Sequence, residues 1–200
     1  MQVSEFHPGD YGYPNIITGT STESHATRSR DTLHLSTIYR DLEQMALQQR
    51  EPDLTKEELQ WYAAGGLLWE RVFSAAYRDA LVEGDSDLVR PDEWQADGIT
   101  GSPDAIRVSV WRVVELKCRW MSANKLDNLE KFFFWELVQC KGYCKLVGAT
   151  SAELWCFFVN GDYRPPRPIV RGLLLEFTER EIEESWGMVQ AHAQRKGWLL

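Results

Sequence analysis

Residues 101–118 read GSPDAIRVSVWRVVELKC, and the fold turns on the charged pair near the end of that run. Trp111–Lys117 is β-branched and apolar, a good strand. Alternate residues of a strand share a face, so Glu115 and Lys117 project together while Val114 and Leu116 project the other way. A carboxylate and an ammonium in an apolar strand are costly to bury unpaired. An ion pair along a strand edge is one explanation. Asp104, eleven residues upstream and directly after Gly101-Ser102-Pro103, supplies another. A hairpin between the two segments brings Asp104 opposite Glu115. Two converging carboxylates suit a hard divalent cation, Mg2+ or Mn2+. Such a cation polarises a phosphate and activates a water, and Lys117 beside it would steady hydroxide or developing charge.

Working outward, Asp104–Val110 and a segment near Ala96–Thr100 are strand-like. Asp127 is the expected cap of one long helix to about Val147, with Glu130 at its third position and Gly148 ending it. Leu154–Val159 reads as a buried strand, Asn160-Gly161 as a hairpin turn and Ile169–Phe177 as its partner strand. Thr178 with Glu181 caps a final helix. Upstream, Ser36 opens a helix to about Gln49, and Thr55 with Glu58 opens another whose apolar stripe runs Leu59, Tyr62, Ala63, Gly66, Phe73, Ala76, Tyr77. Glu70 lies on that stripe, either at its margin or turned towards the carboxylates. Residues 1–30 carry little apolar period and read as an arm or loop, ordered only if it packs on something; residues 31–200 read as one domain. The order α, α, β-hairpin, α, β, β, α implies an α/β fold with a central mixed sheet and helices on its faces.

Gln139 and Tyr143, four apart, share one face of the long helix and are expected to hydrogen-bond the ExK residues or a phosphate. Taken together, Gly101-Ser102-Pro103-Asp104, Val114-Glu115-Leu116-Lys117-Cys118 and Gln139-Cys140-Lys141-Gly142-Tyr143 resemble the motifs of the PD-(D/E)XK nuclease superfamily. Within it they are most similar to the branch holding lambda exonuclease, YqaJ-type phage recombinases and RecB-type nuclease domains. The resemblance spans roughly residues 33–177. It implies a restriction-endonuclease-like core, with Asp104, Glu115 and the Leu116 carbonyl as metal ligands and Lys117 as the catalytic lysine. Glu70 would correspond to the helical glutamate near the metal, and Gln139 and Tyr143 to the pair that supports the site and contacts DNA. Arg119, directly after the second motif, and Lys141, within the third, are further candidates for DNA contact. An arginine that binds a terminal phosphate precedes the core in phage members; Arg28, Arg30 and Arg40 are all candidates and spacing does not choose among them.

Composition sets the remaining expectations. The net charge of −8 argues against coating nucleic acid by charge alone. The charge is segregated, however: residues 41–97 hold 14 acidic against 5 basic side chains, and residues 105–145 hold 8 basic against 4 acidic. A basic surface on an acidic protein is therefore compatible with the sequence, as are scattered solvated charges. Arg164, Arg167 and Arg171 form a further basic group. No apolar run is long enough to span a membrane, and no secretory signal is visible, so a cytoplasmic protein with reduced thiols is expected, in a host cytoplasm if phage-encoded. Cys118, Cys140, Cys144 and Cys156 form no CxxC pair and read as core thiols. The expected activity is a Mg2+- or Mn2+-dependent DNA exonuclease serving recombination or end processing, beside a separate recombinase or single-strand-binding protein, with a homo-oligomer left open. An endonuclease on the same fold, a catalytically silent DNA-binding protein, and an adaptor whose ExK is a chance ion pair are the alternatives.

Overall fold

The computed structural model describes residues 1–6, 32–50, 86–164 and 168–199. Its strands are β1 Gln2–Phe6, β2 Leu33–His34, β3 Leu88–Val89, β4 Trp94–Ala96, β5 Ile99–Gly101, β6 Ala105–Arg107, β7 Arg112–Arg119, β8 Ser151–Phe158 and β9 Ile169–Glu176. Its helices are α1 Leu35–Arg50, the single turn α2 Leu129–Phe132, α3 Phe134–Val147 and α4 Glu179–Arg195. The main sheet has the order β1-β9-β8-β7-β6-β3, and β2-β5-β4 form a smaller one. Within the main sheet only β7 and β8 run parallel, which makes it mixed. Parallel neighbours need a crossover connection, and α3 lies in it. The fold is α/β, as the sequence implies.

Strand alternation assigns the two faces of the sheet. Ile106, Val113, Ala152, Leu154, Cys156, Leu173 and Leu175 point into one core with Leu35 and Ile38 of α1, Leu137 and Cys140 of α3, and Ile182, Trp186 and Val189 of α4. Among the described residues the helices therefore cover this face. Each fully buried Leu or Ile there contributes about 1.5–3 kcal/mol. Helix α1 reaches α3 closely because position 142 is glycine: a Cβ there would stand 2.7 Å from Leu35 Cδ2. The opposite face carries Leu88, Ala105, Val114, Leu116 and Trp155 as a second buried cluster. Beside it lies a buried ionic network. Glu153 accepts from Arg107 Nε at 2.7 Å and Nη2 at 3.2 Å, from Arg112 Nη1 at 3.3 Å and from Trp155 Nε1 at 3.1 Å.

Several local expectations meet the structure directly. Thr178 and Glu181 form a reciprocal capping box at the start of α4. Gly148 ends α3 in the left-handed region at φ 70°. Others are corrected. The helix expected from Asp127 to Val147 is interrupted: a 3-10 segment, Ala123–Asn128, precedes α2, and Phe133 breaks the helix at φ −125° and ψ 21°. The cause is tertiary, since Phe133 is fully buried with its ring edge-on to Phe158. The segment 96–100 is not one strand, because Asp97 and Gly98, at φ 51° and 77°, make a tight turn between β4 and β5. The strand-like run expected to reach Val110 ends at Arg107, where a 3-10 turn begins. The expected arm opens with a strand, since β1 pairs along the whole of Gly172–Glu176. The helix expected from Thr55, with Glu70 on its stripe, lies outside the described residues.

Candidate active site

The site is built on the open end of the β6–β7 hairpin. The antiparallel register pairs Ala105 with Val114, so Asp104, one residue before β6, comes alongside Glu115. Its carboxylate is fixed there: Asp104 Oδ2 accepts a hydrogen bond from the Leu116 amide at 2.9 Å. Glu115 and Lys117 project to the helical face, as period-two alternation requires. Lys117 Nζ stands 2.8 Å from Glu115 Oε1, and about 4% of each side chain is exposed. The Leu116 side chain faces the other way, into the second cluster. An ammonium and a carboxylate at this depth hold each other charged, where either alone would be strongly disfavoured.

Helix α3 roofs the pair. Gln139 Nε2 donates to the Tyr143 hydroxyl at 3.1 Å, and both residues are buried. That bond uses a lone pair of the phenol and leaves its proton to donate elsewhere. Burial, and then the neighbouring Glu115 carboxylate, push the Tyr143 phenol well above its ordinary range; Asp104 adds to the effect while Gln139 and Lys117 oppose it. Tyr143 is thus a neutral donor beside both carboxylates. Gln139 Oε1 is buried with no hydrogen-bond partner, so an acceptor is left open beside the bond to Tyr143. Burial, followed by Glu115, likewise pushes the Cys140 thiol far up, which marks it as an inert neighbour rather than a nucleophile. Cys144 and Cys156 are pushed up to about 12 by burial.

Two neighbours escaped the sequence reading. Tyr39 of α1 lies with its ring centroid 5.8 Å from Lys117 Nζ. It sits three before Leu42, so helical spacing could have found it. Glu136, one turn before Gln139, is buried and ion-paired with Arg119, which shares the strand face of Glu115 and Lys117. The same i,i+3 spacing was the available signal. The structure therefore gathers Asp104, Glu115, Lys117, Gln139 and Tyr143, with Arg119 at the margin. It does not gather Lys141, which is on the opposite side of α3 with Nζ 5.5 Å from the Phe177 ring centroid. Arg40 is exposed on α1. Arg171 is turned away to Glu5 of β1 and the Ala123 carbonyl. Glu70, Arg28 and Arg30 lie outside the described residues.

The donor set fits a hard cation in part. Asp104 and Glu115 bring anionic oxygens from neighbouring strands, and a Mg2+-like ion readily keeps water in its other positions. Among the described residues no group of three His, Cys, Asp or Glu side chains gathers to hold an ion without such water.

No protein-family model matches this chain, and no curated relative does. Solved structures with a similar arrangement exist. SSO0001 is 15% identical over 84% of this chain and 78% of its own, with a TM-score of 0.47. A phage-related exonuclease from Haemophilus somnus 129PT is 14% identical over 74% of this chain and 84% of its own, with a TM-score of 0.43. The alkaline exonuclease LHK-Exo from Laribacter hongkongensis is 13% identical over 82% of this chain and 87% of its own, with a TM-score of 0.45. At these identities no activity passes from those proteins to this chain.

Proposed function

We propose that the chain is a Mg2+- or Mn2+-dependent deoxyribonuclease of the PD-(D/E)XK superfamily, acting as an exonuclease in phage-type recombination or DNA end processing. The observation that carries this reading is the convergence of Asp104, just before β6, with Glu115 and Lys117 of β7 beneath Gln139 and Tyr143 of α3. A chance ion pair on a strand edge predicts exposure; this pair is buried.

In this reading Asp104 and Glu115 hold the cation, with the Leu116 carbonyl as a further donor and Glu70 as the helical carboxylate. When bound, the cation supplies Lewis-acid polarisation of the phosphate and a more acidic water. The chain's own residues do the rest. Lys117 keeps its proton beside Glu115 and offers positive charge to the phosphate oxygens as negative charge develops. Tyr143, held protonated by its surroundings, donates a hydrogen bond, and Gln139 fixes the direction in which it does so. Arg119, held by Glu136, stands at the margin as a phosphate contact. The partner is DNA, beside a separate recombinase or single-strand-binding protein.

End-labelled linear duplex and closed circular plasmid, incubated with Mg2+, test the exonuclease assignment. Loss of the linear DNA with intact circles is expected. Nicked or linearised plasmid would replace the exonuclease with an endonuclease, and binding without cleavage of either would leave a DNA-binding protein.

A further inference from the structure

We propose that Glu136 is a positioning residue: through its ion pair with Arg119 it sets the register of α3 against β7, and so holds Gln139 and Tyr143 over Glu115 and Lys117. This inference rests on the nuclease reading above and adds to it a residue outside the motifs.

Glu136 is 3% exposed, and a carboxylate at that depth needs a reason. A helix N-terminus welcomes an acid in its first turn, but an exposed one serves as well. Glu136 is the third residue of α3, where a glutamate commonly completes a capping box. Here the N-cap is Phe133, whose side chain makes no capping hydrogen bond. The Glu136 carboxylate goes instead to Arg119, the last residue of β7. A buried ion pair is a poor stabiliser, because desolvation offsets most of the attraction, and its best-attested use is to fix register.

The spacing identifies that register. On α3, Glu136 and Tyr143 are seven residues apart, about 10.5 Å along the axis and within about 20° of the same face. Gln139 falls between them and bonds to Tyr143. On β7, Arg119, Lys117 and Glu115 share a face, and the four residues from first to last cover about 13 Å. The two rows run in opposite directions, as a helix between parallel strands requires. One end is pinned by Glu136 and Arg119. At the other, Tyr143 lies close enough to Glu115 for the carboxylate to oppose ionisation of its phenol. Phe133 on Phe158 and Gly142 on Leu35 hold the same segment by apolar contact, which has no direction. The ion pair is directional, so it decides where along β7 the polar face of α3 comes to rest.

The test measures kcat and KM for end-labelled linear duplex in Mg2+, with circular dichroism and melting of each protein, for wild type, Glu136→Gln, Arg119→Gln and the double variant. Misplacing a reacting group by about 1 Å costs on the order of a hundredfold. Glu136→Gln is therefore expected to keep a folded spectrum, lose about ten- to a hundredfold in kcat and change KM by less than about threefold. Because Glu136 acts through Arg119, the double variant should lose no more kcat than Arg119→Gln alone. A folded Glu136→Gln with kcat within about twofold of wild type would overturn the proposal, whatever its melting temperature. So would a loss carried by KM, which would make Glu136 part of the DNA contact, or losses that multiply in the double variant. Failure of Glu136→Gln to fold would make the residue structural only and overturn the proposal as well. Wild type that cleaves nothing overturns the nuclease reading, and the positioning role falls with it.

Discussion

Replacing Glu115 with Gln, Lys117 with Met, and both together forms a cycle whose outcome depends on how deep the pair lies. The charges are 2.8 Å apart and nearly fully covered. An exposed pair of that length is worth about 0.2–1 kcal/mol. Removing one partner from a buried pair weakens the compensation of the other charge and costs up to about 3–5 kcal/mol. Against a total domain stability of about 5–15 kcal/mol, that is a large share. With a urea slope of about 2 kcal/mol/M, each single variant should lose up to about 1.5–2.5 M in its unfolding midpoint. The double variant removes both charges together and should unfold closer to wild type than the sum of the singles, giving a coupling of about 3 kcal/mol. The assay is equilibrium urea unfolding in EDTA, so that no cation takes the place of Lys117. Single effects below about 1 kcal/mol, or a double equal to their sum within about 0.5 kcal/mol, would refute the argument from burial.

Gly101→Ala places a Cβ 2.7 Å from Leu146 Cδ1 and 3.1 Å from Tyr143 Cε1, so it should cost about 1–3 kcal/mol and reduce cleavage by displacing Tyr143; unchanged melting and rate would contradict this. Cys118 is half-buried while Cys140, Cys144 and Cys156 are buried, so Ellman's reagent at pH 8 should find one fast thiol of four, and two or more fast thiols would contradict the packing. Burial opposes ionisation of Asp41, but hydrogen bonds to Lys196 and His192 outweigh it and hold its carboxyl below the ordinary range. A depressed carboxyl stabilises the fold above its unfolded value near about 3.9 and loses that contribution as pH falls through the folded value. Asp41→Asn should therefore be about 1 kcal/mol less stable than wild type at pH 7, with the gap narrowing below about pH 4 in urea titrations; a constant gap would contradict the assignment.

What was legible in the sequence was mostly local. The capping box of Thr178 and Glu181 has both partners within one turn, and the Glu115–Lys117 pair follows from period-two alternation alone. The interruption at Phe133 was hidden because its cause is Phe158, twenty-five residues on, across the core. The pairing of β1 with β9 spans almost the whole chain, and nothing in Gln2–Phe6 announces it. Asp97-Gly98 is the exception: the turn signal was local, but strand-like neighbours masked it. In the site the same division holds. Asp104, Glu115, Lys117, Gln139 and Tyr143 could be named from motif spacing. The Arg119–Glu136 pair joins a strand to a helix, so no single period contains it. The network of Arg107, Arg112 and Glu153 links positions 46 and 41 residues apart on the opposite face, and only the sheet register brings them together.

The most direct test of the central claim is cleavage of end-labelled linear DNA by wild type, Glu115→Gln and Lys117→Ala, each with Mg2+, with Mn2+ and with EDTA, alongside circular dichroism of every protein. The account predicts cleavage by wild type with either cation and none in EDTA. It also predicts loss of at least about a hundredfold in both variants while they retain folded spectra. Wild-type cleavage undiminished by EDTA, or full activity in both folded variants, would contradict it.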